Sequence, residues 1–222
     1  LINFSEELDL SEKTHLSAKY HRVSDSKYFE EIDRSNTELE YLKSHLNLSY
    51  KDLDNSFFVT FLTENKQVVN SGTPNYNRAL EGYVSKTFDQ IKNTTLTASA
   101  VSSRFTHDTA SKESGIRNHG SISLTRTIDW KYPKIPPNAS VQITNYSLKN
   151  SPNINRTIFG SGINFDFTFV NSGSIFGYEA NHTISPLITY QYRAKKVQGN
   201  IPLFDSTDKY DAYSRHKYHD YS

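Results

Sequence analysis

The chain of 222 residues contains no cysteine and no methionine, and only one tryptophan. Without cysteine there is no disulfide framework, no thiolate nucleophile and no cysteine-based zinc site. No stretch of 18 consecutive apolar residues occurs, which excludes a transmembrane helix. An excess of one charge is lacking too: 25 Lys and Arg stand against 24 Asp and Glu, a formal net charge of +1. That balance leaves neither the basic footprint of a nucleic-acid binder nor an acidic tail, so no nucleic-acid partner is expected. The G-x-S-x-G, P-loop, H-E-x-x-H and G-x-G-x-x-G signatures are all missing. No enzyme, no cofactor and no tightly bound metal are therefore expected. The chain begins Leu-Ile-Asn-Phe, with no initiator Met and no signal peptide. It reads as a mature protein or as an excised piece of a longer one.

Aliphatic residues are scarce but aromatics are not. Hydrophobic residues make up 35% of the chain and aromatics 13%, with 15 Tyr and 13 Phe. Mean hydropathy is −0.67. Such a chain is short of material for a conventional core, yet too aromatic to be disordered. Transmembrane barrels have this profile, because half of each strand faces a wet lumen. Sequons at Asn3, Asn47, Asn93, Asn138, Asn145, Asn155 and Asn181 fit chance in a chain rich in Asn, Ser and Thr. The lack of cysteine fits poorly with a secreted eukaryotic domain.

The pattern along the chain is about ten residues of alternation, then a polar connection. It recurs at Leu16, Ala18 and Tyr20; at Leu39 and Tyr41; at Leu46, Leu48 and Tyr50; and at Phe57, Val59 and Phe61. It continues at Leu80, Gly82 and Val84; Leu96, Ala98 and Ala100; Ile122, Leu124 and Ile128; and Ala139, Val141 and Ile143. Two further segments, 162–178 and 184–194, make roughly ten strands, and only Ser26 to Asp33 suggests a short helical turn. Soluble strands average about five or six residues, whereas a membrane strand needs about 9–11. Residues 106–118 and 196–222 read as long polar loops, and Asn171 to Ser174 as a tight hairpin turn. Pro186 marks a strand start, a bulge or an unpaired edge. Arg126 falls on the apolar face of its strand. A cation there costs about 2–4 kcal/mol at a bilayer midplane and about 0–1 near the interface. With Trp130 and Tyr132 following as interfacial aromatics, Arg126 is placed near the headgroups.

The sharpest alternation is in "GINFDFTFV". Ile163, Phe165, Phe167 and Phe169 are expected to face lipid, and Asn164, Asp166 and Thr168 the lumen. In a soluble sandwich the same phenylalanines would be core. Polar clusters are weaker signals. His216, His219 and Asp220 read as a solvated loop, as do His107 and Asp108. Arg193, Lys195 and Lys196 read as a solvated strand end that could also meet the phosphate groups of a glycolipid.

Two stretches resemble a known family. "SAKYHRVSDSKYFEEI", residues 17–32, resembles the early barrel strands of the LPS-assembly outer-membrane protein (LptD) family, with Val23, Ser24, Asp25, Tyr28, Phe29, Glu30 and Glu31 in matching places. "ISPLITYQYRAKKVQGNIPLFDS", residues 184–206, resembles a later strand and its loop through Pro186, Tyr190, Tyr192, Gln198, Ile201, Asp205 and Ser206. "YDAYS" follows as in the family's tyrosine-rich loop. The intervening strands fit in order and spacing, and Ser185 departs from the family's usual Glu. The resemblance implies an all-β fold, an antiparallel transmembrane β-barrel of which about ten middle strands are present. Residues 1–222 would then be part of one barrel. The N-terminal periplasmic jelly roll, the first and last barrel strands and the family's disulfide cysteines would lie outside. It also implies insertion of lipopolysaccharide into the outer leaflet of a Gram-negative outer membrane. The implied partners are lipopolysaccharide, an LptE-like plug lipoprotein, a periplasmic LPS bridge protein and outer-membrane lipids. The competing readings are an unrelated outer-membrane barrel (porin, surface enzyme or receptor) and a soluble all-β binding module. About ten strands of a larger barrel would leave two unpaired edges and should not close into a unit alone.

Overall fold

A computed structural model describes residues 1–32, 38–70, 76–109, 111–129, 134–175, 178–194 and 201–208. Alternation over long stretches produces long strands: β1 (Ile2–Ser11), β2 (Thr14–Arg22), β3 (Tyr41–Asp52), β4 (Phe57–Val68), β5 (Asn77–Ile91), β6 (Thr94–Thr106) and β7 (Gly115–Arg126). Two short bridges follow, β8 (Ile128–Asp129) and β9 (Lys134–Ile135). Then come β10 (Pro137–Leu148), β11 (Ile154–Asp166), β12 (Phe169–Ile175), β13 (Tyr178–Ile184) and β14 (Leu187–Arg193). The expected helical turn is α1 (Tyr28–Glu31).

Strands β1 to β7 pair with their sequence neighbours, β7 pairs with β10, β10 with β11, and β11 with β14. Every pairing is antiparallel. These are ten strands of seven residues or more, as expected, and most reach membrane-spanning length. The sheet is open among the described residues: no ladder joins β1 to β14. Strand β1 was not foreseen as a strand; it is an edge, exposed throughout. The alternations at Tyr41 and at Leu46 to Tyr50 belong to one strand, β3, with Leu39 outside it.

The two ends of the sheet differ. At one end tight turns join β1 to β2 at 12–13 and β5 to β6 at 92–93. Asn93 there takes φ 58, a left-handed value that asparagine tolerates. The longer connections 127–136 and 167–186 also lie at this end, and at the other end lie the long loops 23–40, 69–76 and 107–114. Two of these are tied down. Phe29 of α1 packs with Val23, Leu42 and Val69. Glu113 accepts bonds from the Asn150 N–H and the Ser151 hydroxyl, both at 2.8 Å. The Asn150 N–H first, and then Ser151, lower the Glu113 carboxyl below its ordinary range.

Two expectations about 162–178 are corrected. The alternation from Ile163 to Phe169 is not one strand: β11 ends at Asp166, and Phe169 begins the separate β12–β13 hairpin. The reason is Pro186, which lies between β13 and β14. It has no N–H to give, and the ladder finishes with the Phe167 N–H donating to the Pro186 carbonyl at 3.2 Å. Second, Asn171 to Ser174 is not the turn. These residues pair within the hairpin, from Asn171 with His182 to Ser174 with Glu179. The pairing runs as far as Ile175 with Tyr178, and 176–177 lie outside the described residues.

Candidate functional site

In an antiparallel ladder, facing residues share a side of the sheet, so the registers carry one face across all ten strands. One face carries Phe4, Leu8, Leu16, Leu48, Phe61, Val84, Leu124, Ile143, Phe159 and Ile188, linked strand to strand by the pairings. These side chains are not covered. Phe61 is 52% exposed, Ile143 55% and Phe159 60%. A patch running across a whole sheet far exceeds what soluble monomers leave exposed. The depressions on this face are open grooves, one of about 550 Å³ between Phe61, Gly82, Ala100, Gly120 and Ile143. They are not enclosed substrate cavities.

The opposite face is polar and bonded to itself. Thr60 donates to Asn47 at 2.6 Å, Ser99 and Ser121 share a bond at 2.8 Å, and His119 bonds Thr144 at 2.8 Å. Toward the long-loop end this face is covered by residues 201–208, which fold back over β5, β6, β7, β10 and β11. Phe204 stacks on Phe105 with ring centroids 4.7 Å apart and lies beside Tyr146. Arg117 grips Asp205 at 2.8 and 3.1 Å and Asp208 at 3.0 Å. Arg78 reaches Asp205 at 3.0 Å, and the Tyr146 hydroxyl donates to Asp208 at 2.7 Å. Ser103 donates to Glu81 at 2.6 Å, and Glu81 in turn pairs with Arg78. Burial alone would raise the Asp205 carboxyl. The bonds from Arg117 and Thr207 outweigh it and hold the group well below the usual carboxylate range.

Ile163 and Phe165 pair with Tyr190 and Ile188, on the apolar face, and are half-buried. Asn164 and Asp166 lie on the opposite face. Asp166 is exposed, and the Asn164 amide oxygen is buried with no hydrogen-bond partner. Phe167 and Thr168 lie in the connection, where the Phe167 ring stacks on Phe169 at 6.2 Å. Arg126 is exposed at the last position of β7. Arg193 ends β14, exposed, opposite Gly160. Lys195, Lys196, Trp130, Tyr132, His216, His219 and Asp220 lie outside the described residues. Among the described residues no cluster of His, Asp and Glu could hold a metal, and no helix is long and apolar enough to cross a membrane.

Sequence reasoning missed the cluster of Arg78, Arg117 and Arg156. Its partners are as far as 127 residues away, and no local spacing reveals such a pairing. One signal was present: Asp205 and Ser206 belong to the quoted 184–206 stretch.

The family model for LptD, LPS transport system D, matches residues 1–221. The LPS-assembly protein LptD of Hahella chejuensis is 24% identical over 238 residues, covering 96% of this chain and 29% of its own length. The LPS-assembly protein LptD of Neisseria meningitidis serogroup B is 28% identical over 122 residues, covering 53% of this chain and 15% of its own length. That of Neisseria gonorrhoeae is 29% identical over 122 residues, with the same coverage. The chain spans less than a third of the length of these curated relatives.

Proposed function

The chain belongs to the LptD family, and on that premise we propose that it forms a stretch of barrel wall in an outer-membrane machine that assembles lipopolysaccharide into the outer leaflet. The observation that carries the reading is the segregation of two solvents across one sheet. The face through Phe61, Leu124, Ile143 and Phe159 meets lipid, as do Ile163 and Phe165, while Phe167 and Phe169 sit at its margin. The face through Thr60, Ser121, His119, Asn164 and Asp166 lines the lumen, with Thr168 at its end. Membrane barrels need this arrangement, since hydrocarbon tolerates neither open backbone nor a carboxylate.

The role is non-enzymatic: a polar channel wall and a lipid-matched belt, with energy supplied from elsewhere. The two open sheet edges require further strands of the same protein or a neighbour to complete the wall. An LptE-like plug and a periplasmic bridge protein are the partners this role calls for. Arg193 ends β14 at the long-loop end, and with Lys195 and Lys196, its neighbours in sequence, it would offer cations to glycolipid phosphates. Depleting the full-length parent protein in its own host tests the reading. Newly made lipopolysaccharide should stop reaching the cell surface, and unchanged surface lipopolysaccharide would contradict the proposal.

A further inference from the structure

Arg156 is the one arginine of the cluster that the covering segment leaves unmatched. Its side chain is buried, 8% exposed, yet it makes no ion pair among the described residues. It donates to the Asp208 backbone carbonyl at a long 3.4 Å, and its Nε has no hydrogen-bond partner. A buried guanidinium without an anion is costly, and the surroundings must compensate it. The Tyr146 ring gives some of that compensation, with the Arg156 guanidinium 5.9 Å from its centroid. Across the sheet stand Thr144, directly opposite in register, and His119 beside it.

The segment itself is held in an unusual way. Each of its hydrogen bonds to the sheet uses a side chain on at least one partner, and no backbone ladder joins 201–208 to the strands among the described residues. Its two carboxylates place three oxygens around Arg117 and bring two negative charges to the arginines. A phosphate dianion has the same charge and as many oxygens, in one compact group. Arg117 and Arg156 both reach Asp208, one at its carboxylate at 3.0 Å and the other at its backbone carbonyl at 3.4 Å, so a phosphate seated there would offer charged oxygens to both, which the Asp208 carboxylate does not. Guanidinium forks favour such oxyanions.

We propose that Arg117 and Arg156 form a phosphate-binding site on the polar face, and that Asp205 and Asp208 occupy it as an internal substitute that a phosphate group displaces. Binding would lift residues 201–208 from the sheet and uncover Phe105 and Tyr146. That the phosphate is carried by a transported glycolipid rests on the proposed function; the site itself does not.

The test uses the full-length protein in detergent micelles with a nitroxide on Leu203→Cys, a position 55% exposed, other reactive thiols being blocked. Inorganic pyrophosphate should convert the label from an immobilised to a mobile spectrum, and sodium chloride at equal ionic strength should not. Arg156→Gln should abolish the response while the segment stays docked without ligand, because Arg156 gives it no ion pair. If that variant does not assemble, Arg156→Lys should shift the response to higher pyrophosphate concentration. A phosphorylated glycolipid and its dephosphorylated form make a second arm. Release by pyrophosphate and by the phosphorylated glycolipid supports the site and a lipid source. Release by pyrophosphate alone supports the site with a soluble source. A label that stays immobilised with pyrophosphate, moves equally with chloride, or responds unchanged in the Arg156 variants overturns the proposal. None of these readouts depends on lipopolysaccharide assembly, so their failure is distinct from failure of the depletion experiment.

Discussion

On one side of the sheet Phe61, Ile143 and Phe159 stand more than half exposed, with nothing but a depression between them. On the other side Ser103, Thr144, Arg117 and Asp208 are buried, although they are the kind of residue a soluble protein keeps wet. The same strands build both faces, with side chains merely alternating. A soluble protein hides its apolar face and wets its polar one. Here the hidden face is the polar one, and its buried charges need partners, which Arg117 finds in Asp205 and Asp208. The covering segment 201–208 is what makes the pairing possible, because it delivers two carboxylates to a wall that already carries three arginines. The apolar face is thus stabilised by its solvent, whereas the polar face is stabilised by specific partners.

Removing a partner on the polar face should therefore do the most damage. Arg117→Gln strands Asp208 and weakens the hold on Asp205. It should cost about 3–5 kcal/mol, the range for breaking a buried pair on one side. Denaturant unfolding of the full-length protein in detergent measures it, and protease sensitivity within 201–208 should rise in parallel. A loss under 1 kcal/mol would place the cluster in open water instead.

The apolar face should respond to a different perturbation. Ile122→Arg puts a cation in the middle of β7 and should cost about 2–4 kcal/mol in a bilayer. Arg126→Leu, four residues along the same face, should change stability by about 0–1 kcal/mol, as expected near an interface. Reversible folding into vesicles separates the two, and equal effects would remove the membrane gradient from the account.

Acid should act on the polar face alone. The Asp205 carboxyl is held low in the folded state, so its contribution is present at and above the ordinary carboxylate range, about pH 4. It is lost only as pH falls below that range toward the depressed folded value. The 201–208 segment should stay docked through mildly acidic pH, read by the label at Leu203→Cys, and release only in strong acid. Release between pH 7 and 5 would show that Asp205 is not paired as described. A small effect is expected at the hydroxyl pair: Ser121→Ala should cost about 1 kcal/mol in the same unfolding measurement, the net worth of one hydrogen bond.

Much of this was legible in the chain. Alternation gave the strands because a period of two is a local property, and it placed Leu124 and Ile143 on one face without any structure. The end of β11 was not legible, because Phe167 continues the alternation perfectly. What stops the strand is Pro186 on a neighbour, a contact between distant parts of the chain. The hairpin turn was misplaced for a similar reason: Gly173 looks like turn chemistry, but nothing lies within 4 Å of where its side chain would be, and the residue is accommodated in β12. Gly115 was not singled out, yet a Cβ there would sit 2.5 Å from the Ser147 carbonyl, a requirement set by β10. The arginine cluster was hidden most completely, since each arginine alone reads as a solvated residue.

The central claim is that the two faces of this sheet see lipid and water. Single cysteines along β7 and β11 in the full-length protein, in outer membranes, test it directly with a small water-soluble thiol reagent. Positions 121, 123, 164 and 166 should label, and positions 122, 124, 159 and 163 should be spared. Uniform labelling, or labelling of the second set in preference to the first, would contradict the account.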